Sequence, residues 1–293
     1  MTEQRDRQTD AQLAQDLRKG ALGGAGGRLV EILGGIVLVV GLAAGISLPV
    51  ILAGAALIGF GGWLRQKTRG AAGQRAVEAI LPDVVNAALE QVQLDPKPRL
   101  LDPEATNIPL PKHDGCSCSG YIRGTYRGLT AELCTVRLTE KHELQREETG
   151  QWETNETEVY TGQWMLCRLE QSFPTWLTLW PRGTMDQLFR SGSTVQTGEE
   201  AFDKRFQLSC GDAQAALRML DPARIERLLA LADSSMGKFA LNLDPDGRLY
   251  VAVHCGRGFF DIGKGRETPE QLRQRFSAEL KWFTDMIDAF RPA

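Results

Sequence analysis

The soft donors of this chain gather between His113 and His142, where His113, Cys116, Cys118, Cys134 and His142 follow one another. Thiolate and imidazole together suit zinc, but structural zinc takes paired ligands at C-x2-C type spacing, with a second pair further on. No second pair occurs here, so the residues read as ordinary thiols and loop histidines, and no metal is expected. A second signal is Gly258-Phe-Phe-Asp-Ile-Gly263-Lys264-Gly265, which has the spacing of a phosphate-binding P-loop. Position 265 should offer a Ser or Thr hydroxyl to magnesium, and glycine has none. The following helix starts only near Thr268, which separates its N-terminus from any phosphate cradle. The motif therefore reads as a glycine-rich loop, and no cofactor is expected. Nucleophilic catalysis finds no support either: there is no G-x-S-x-G elbow, no His-Glu-x-x-His, and three histidines in all to act as bases. Asp203, Asp212, Asp221 and Glu226 stand near apparent strand and helix starts, where capping explains them. Trp152, Trp164, Trp176 and Trp180 read as core or sheet-face packing. No catalytic, cofactor-binding or metal residue is assigned.

The elements that would position such residues begin with a long apolar run. From Ile32 to Leu64 no Asp, Glu, Lys, Arg or His occurs, although 24% of the chain is charged. As one helix the run would be about 50 Å long, well beyond the ~30 Å hydrocarbon core of a bilayer. Gly45, Ser47 and Pro49 near its midpoint favour a tight reversal between two short spans, roughly Leu29 to Gly45 and Leu48 to Leu64. Arg18, Lys19 and Arg28 precede the run, and Arg65, Lys67 and Arg69 follow it. Basic residues on both sides place both ends in the cytoplasm. Gly41 with Gly45 and Ala55 with Gly59 form small-xxx-small pairs for close helix approach, while Trp63 suits the interfacial belt. The absence of an ionisable group within the run argues against a transport path. A cleaved signal peptide would not need the apolar residues beyond Gly45. A single tilted span with an exported domain conflicts with the basic flanks on both sides.

About 220 residues remain after Arg69, enough for a substantial core. The formal charge of -3 and the lack of a Lys/Arg cluster outside the membrane flanks point away from nucleic acid. Six scattered cysteines in a cytoplasmic setting read as reduced thiols. Four parts are expected: a polar and glycine-rich N-terminus over 1–28, the hairpin over 29–64, a juxtamembrane helix and Pro-rich connector over 65–114, and an α+β domain over 115–293. Apolar spacing predicts an amphipathic helix from Ala71 to Leu94, followed by a connector from Asp95 to Asp114. Tyr121–Tyr126, Ala131–Leu138, Glu158–Leu169, Thr175–Trp180 and Phe206–Ser209 read as strands of an antiparallel sheet. The polar stretch from Lys141 to Glu158 fits an exposed hairpin end. Helices are predicted at Ala213–Leu220 and Asp221–Asp233, the latter with an Asp N-cap and Pro at its first turn. Asp244-Pro245-Asp246-Gly247 should turn a hairpin between Phe239–Leu243 and Arg248–His254. Thr268-Pro269-Glu270-Gln271 is a capping box that opens a long terminal helix, expected to cover one face of the sheet.

The order of these features resembles the bacterial membrane proteins catalogued as domain of unknown function 3137. The resemblance rests on the glycine-rich hairpin, Gly120-Tyr121, Tyr126-Arg127-Gly128 and Tyr160-Thr161-Gly162-Gln163-Trp164. It continues through Ala201-Phe202-Asp203-Lys204-Arg205-Phe206, the stretch from Leu217 to Leu229, and Lys238 to Val253. It implies a bacterial inner-membrane protein with a cytoplasmic β-rich domain and carries over no functional residue. The expected partners are the lipid bilayer and another protein, with no nucleic acid. The expected function is a membrane-anchored interaction or sensing module. The alternative is a membrane-tethered enzyme acting on lipid or envelope precursors.

Overall fold

The computed structural model describes residues 77–95, 103–145, 152–183, 194–263 and 267–291, together with Gln15, Ile32 and Arg75. The membrane-anchor positions Gly41, Gly45, Pro49, Ala55, Gly59 and Trp63 lie outside the described residues, as do Arg18, Lys19, Arg28, Arg65, Lys67 and Arg69. Among the described residues no helix is long and apolar enough to cross a membrane. The chain divides into two units, 1–84 with 262–276, and 85–261 with 277–293.

In the first unit the described residues include helix α1 (77–88) as far as Val84 and the start of helix α5 (Pro269–Phe290). Ile80, Val84, Leu272 and Phe276 are buried there. The capping box forms as expected: Thr268 N donates to Gln271 Oε1 at 2.9 Å, and Gln271 N donates to Thr268 Oγ1 at 3.2 Å. Arg275 and Glu267 pair through two parallel bonds of 2.9 and 2.7 Å.

The second unit is α+β. Among the described residues nine strands form one antiparallel sheet: β1 (Glu90–Asp95), β2 (Gly115–Tyr126), β3 (Leu129–Gln145), β4 (Trp152–Arg168), β5 (Leu177–Pro181), β6 (Thr194–Val195), β7 (Phe206–Cys210), β8 (Lys238–Leu243) and β9 (Arg248–His254). Their spatial order is β1-β2-β3-β4-β9-β8-β5-β7-β6. Helices α2 (Glu200–Arg205), α3 (Ala213–Met219) and α4 (Pro222–Ser234) fall between β6 and β8. Asp212 caps α3 by accepting from Ala215 N, and Asp221 caps α4 by accepting from Arg224 N, which is the role predicted for both.

Alternation along β4 and β9 sends side chains to two buried faces. One face meets α4 and the residues of α5 from Ser277 onward. There the Trp282 indole donates to Leu231 O at 2.9 Å, its ring lies 5.4 Å from Phe239, and Phe283 lies 5.1 Å from Phe259. The terminal helix thus covers this face over that part of its length, as expected. The opposite face carries Tyr121, Cys134, Val136, Leu138, Tyr160, Trp164, Trp180, Tyr250 and Ala252, packed with Ile108 from the connector. Both faces of the central strands are therefore apolar, which removes the clean alternation of a half-exposed strand.

One sequence expectation changes. The helix predicted to run to Leu94 stops at residue 88, and Glu90–Asp95 forms β1 instead. Its Gln91 takes a φ of 51° beside a register shift, and the segment pairs with β2 from Glu90↔Thr125 to Asp95↔Tyr121. Pairing outweighs the helical spacing of Val92 because the edge of β2 offers unpaired backbone groups. The exposed hairpin end predicted over Lys141–Glu158 is found: β3 and β4 pair out to Gln145↔Trp152, and residues 141–143 and 154–158 are exposed.

Candidate functional site

A cavity of about 110 Å³ opens on the face opposite the helices, at the end of the sheet where β8 begins and β9 ends. Ile108 and Leu110 from the connector form one wall. Val159, Tyr160, Trp180, Ala240 and Ala252 form the other, and Lys238 and His254 stand at the mouth. Both mouth residues are exposed. Register explains the convergence, since His254 pairs with Gly162 on one side and with Lys238 on the other. Tyr160 is locked in place: its hydroxyl accepts from Trp164 Nε1 at 3.0 Å, and its ring stacks on His254 at 4.9 Å with 26° between the planes. Burial pushes its phenol pKa well up, so it stays neutral and cannot serve as a base near neutral pH.

Pro181, Lys238 and Phe239 line this cavity and also a second hollow of about 340 Å³, whose other walls include Arg182, Lys204 and Arg205. The cations are distant in sequence and meet because β5 pairs with β7, Pro181 opposite Phe206. Arg182 Nε donates to Asp203 O at 2.8 Å, Lys204 pairs with Glu200, and Arg205 pairs with Asp233. Sequence reasoning missed these residues. The polar termini of the β8–β9 hairpin, Lys238 and His254, were the one local signal, whereas the arginines converge only through strand pairing. A wider groove of about 840 Å³ is lined by Arg127, Arg227, Arg291, Asp285 and Asp288; there Tyr126 Oη donates to Asp288 at 2.8 Å, and Arg127 pairs with the same carboxylate at 3.2 Å.

The thiols weighed as metal ligands sit on β2 and β3, and among the described residues no three His, Cys, Asp or Glu groups converge to hold a metal ion. Cys118 is paired across from Val136 and interacts with the neighbouring Cys134 thiol. That interaction first, and a second from Cys116, holds the Cys118 pKa down at about 7 against partial burial. The same interaction and burial drive Cys134 far up, and burial alone pushes Cys167 up to about 12. Exposed Cys116 and half-buried Cys118 are thus the thiols of this strand pair open to reagents, beside buried Cys134.

In the loop 256–263, backbone amides that a P-loop would direct at phosphate are occupied by the protein. Phe259 N donates to Thr135 Oγ1 at 2.9 Å, and Phe260 N donates to the buried Glu279 carboxylate at 3.4 Å. Gln163 Nε2 holds Gly258 O at 3.1 Å, and Arg257 pairs with Glu279 at 3.0 Å. A carboxylate where the anion would sit repels phosphate, consistent with the glycine-rich loop expected from sequence. Lys264 and Gly265 lie outside the described residues. Trp164 and Trp180 are core residues as predicted, whereas Trp152 is 66% and Trp176 36% exposed.

Residues 158–291 match the family described as "Protein of unknown function (DUF3137)", the family that the sequence motifs resemble. The chain is similar to a solved structure, the crystal structure of the mycobacterial trehalose monomycolate transport factor A, TtfA. That similarity is at 10% identity and a TM-score of 0.38, covering 75% of this chain and 97% of the other. A likeness at that score carries neither fold nor function across. No curated protein matches the chain.

Proposed function

We propose that this chain, whose residues 158–291 carry the DUF3137 domain, is a membrane-anchored interaction or sensing module with its β-rich domain at the cytoplasmic face of a bacterial inner membrane. The observation that carries the reading is the charge-free run from Ile32 to Leu64, with a central break and basic residues on both sides. The second unit supports the module over the enzyme. Its sheet is filled on both faces, and its cavity is lined by apolar groups with Lys238 and His254 at the mouth and no carboxylate or thiol. His254 and Lys238 are the acid–base groups there, both exposed at the mouth, and no nucleophile or carboxylate stands within the apolar walls to act with them.

Alkaline carbonate washing of membranes, followed by affinity capture after solubilisation, tests the reading. The full chain should remain in the pellet, a chain lacking residues 29–64 should move to the supernatant, and capture should return the same partner in every replicate. A full chain released by carbonate contradicts the anchor, and capture that returns no reproducible partner contradicts the module.

A further inference from the structure

The geometry points to a binding site for a short-chain phosphorylated amphiphile, its hydrocarbon end in the cavity under Ile108 and Leu110 and its phosphate among Lys238, Arg182, Lys204 and Arg205. The inference takes only its setting from the proposed function and stands on the second unit alone. The cavity measures about 110 Å³ and its walls are apolar. Apolar cavities near ~150 Å³ stay dry and admit benzene-sized guests, because water there lacks the two to four polar partners it needs. The space therefore suits a few carbons of a chain.

The cationic hollow makes the site amphipathic. Lys238 lines both spaces, so an anion attached to a buried hydrocarbon end meets an ammonium at the mouth and two guanidinium groups beyond it. Arginine forks recognise phosphate through parallel donors, and the bond from Arg182 Nε to Asp203 O fixes the orientation of one fork. No carboxylate lines the hollow. Glu200 pairs with Lys204 and Asp233 with Arg205, which makes Lys238 and Arg182 the chief phosphate partners, while Asp203 is held by Thr197 and the amide of Gly198.

The test titrates the full chain, held in phosphatidylcholine nanodiscs, with n-alkyl phosphates from methyl to octyl, using calorimetry and the fluorescence of Trp180 in the cavity wall. Affinity should rise about fourfold per added carbon, as expected for one buried methylene, and level off once the cavity is full. Hexanol should bind at least tenfold more weakly than hexyl phosphate. Ala252→Leu, which fills the cavity, should reduce hexyl phosphate to the affinity of methyl phosphate. Lys238→Gln, on an exposed residue, should weaken every alkyl phosphate by tenfold or more with the thermal transition unchanged. Phosphatidate doped into the disc separates two sources of the same chemistry: competition with hexyl phosphate identifies a membrane lipid, and its absence a soluble ligand, both through this site. Affinity independent of chain length, equal binding of hexanol, unchanged binding by the Lys238 variant, or no binding of any alkyl phosphate overturns the inference.

Discussion

At Gly162 one missing methyl group decides where Tyr160 lies. A Cβ built there would collide with the Tyr160 hydroxyl and come within 2.6 Å of Val253 O. The ring occupies the space above the glycine, which lets it stack on His254 and accept from Trp164. Gly162→Ala should therefore destabilise the fold by about 1–3 kcal/mol through overpacking, read as a lower midpoint in chemical denaturation. The cysteines offer a second test at this scale. With its pKa near 7, Cys118 should be alkylated by iodoacetamide with a rate that rises through about pH 7 as the thiolate forms. Cys134 and Cys167 should stay unreactive in the folded chain, and mass spectrometry of the labelled peptides distinguishes them. Tryptophan burial was only half legible in the sequence. Trp164 and Trp180 face a buried sheet layer, but Trp152 lies toward the far end of the β3–β4 ladder and Trp176 stands just before β5. Trp152 stands between Gln151 and Glu153 in a polar stretch, which signals exposure, whereas Trp176, between Thr175 and Leu177, looks locally like a core position and only register separates it.

Elements with self-contained chemistry were the legible ones. The Asp244–Gly247 turn places Gly247 at φ 84°, with Gly247 N donating to Asp244 O at 3.0 Å. A Cβ there would approach Gln171 O to 2.5 Å and Leu169 O to 2.7 Å. Gly247→Ala should cost at least the roughly 1–2 kcal/mol of a left-handed L-residue, visible as a lowered melting temperature. The Asp221 cap and the Thr268 capping box also follow from four-residue patterns. By contrast, β1 read as helix because its partner strand lies some thirty residues away, and α2 was seen only as part of a family motif. Docking of the terminal helix depends on a few large side chains. Trp282 is 4% exposed and joins Leu231 O to the Phe239 ring, so Trp282→Ala should lose about 3–5 kcal/mol, measured by the same denaturation. Replacing exposed Lys281, which pairs with Asp285 at 2.7 Å one turn away, should change stability by only a few tenths of a kcal/mol.

For the whole molecule, local composition announces the charge-free run, whereas the cationic hollow assembles from Arg182, Lys204, Arg205 and Lys238 only once β5, β7 and β8 pair. That asymmetry explains why sequence speaks about location and stays silent about ligands. Membrane insertion depends on length and hydrophobicity over tens of consecutive residues, but a binding site depends on contacts between distant segments. The division into units 1–84 with 262–276 and 85–261 with 277–293 is illegible for the same reason, since each unit joins segments that are far apart in the chain. The central claim is that a hairpin anchor keeps the β-rich domain in the cytoplasm, and labelling with a membrane-impermeant maleimide tests it most directly. The reagent is applied to intact spheroplasts carrying Ser47→Cys, with exposed Cys116 as the internal reporter. The account predicts that position 47, in the reversal between the two spans, is labelled in intact spheroplasts and that Cys116 is labelled only after permeabilisation. Labelling of Cys116 in intact spheroplasts, or protection of position 47 until lysis, would contradict it.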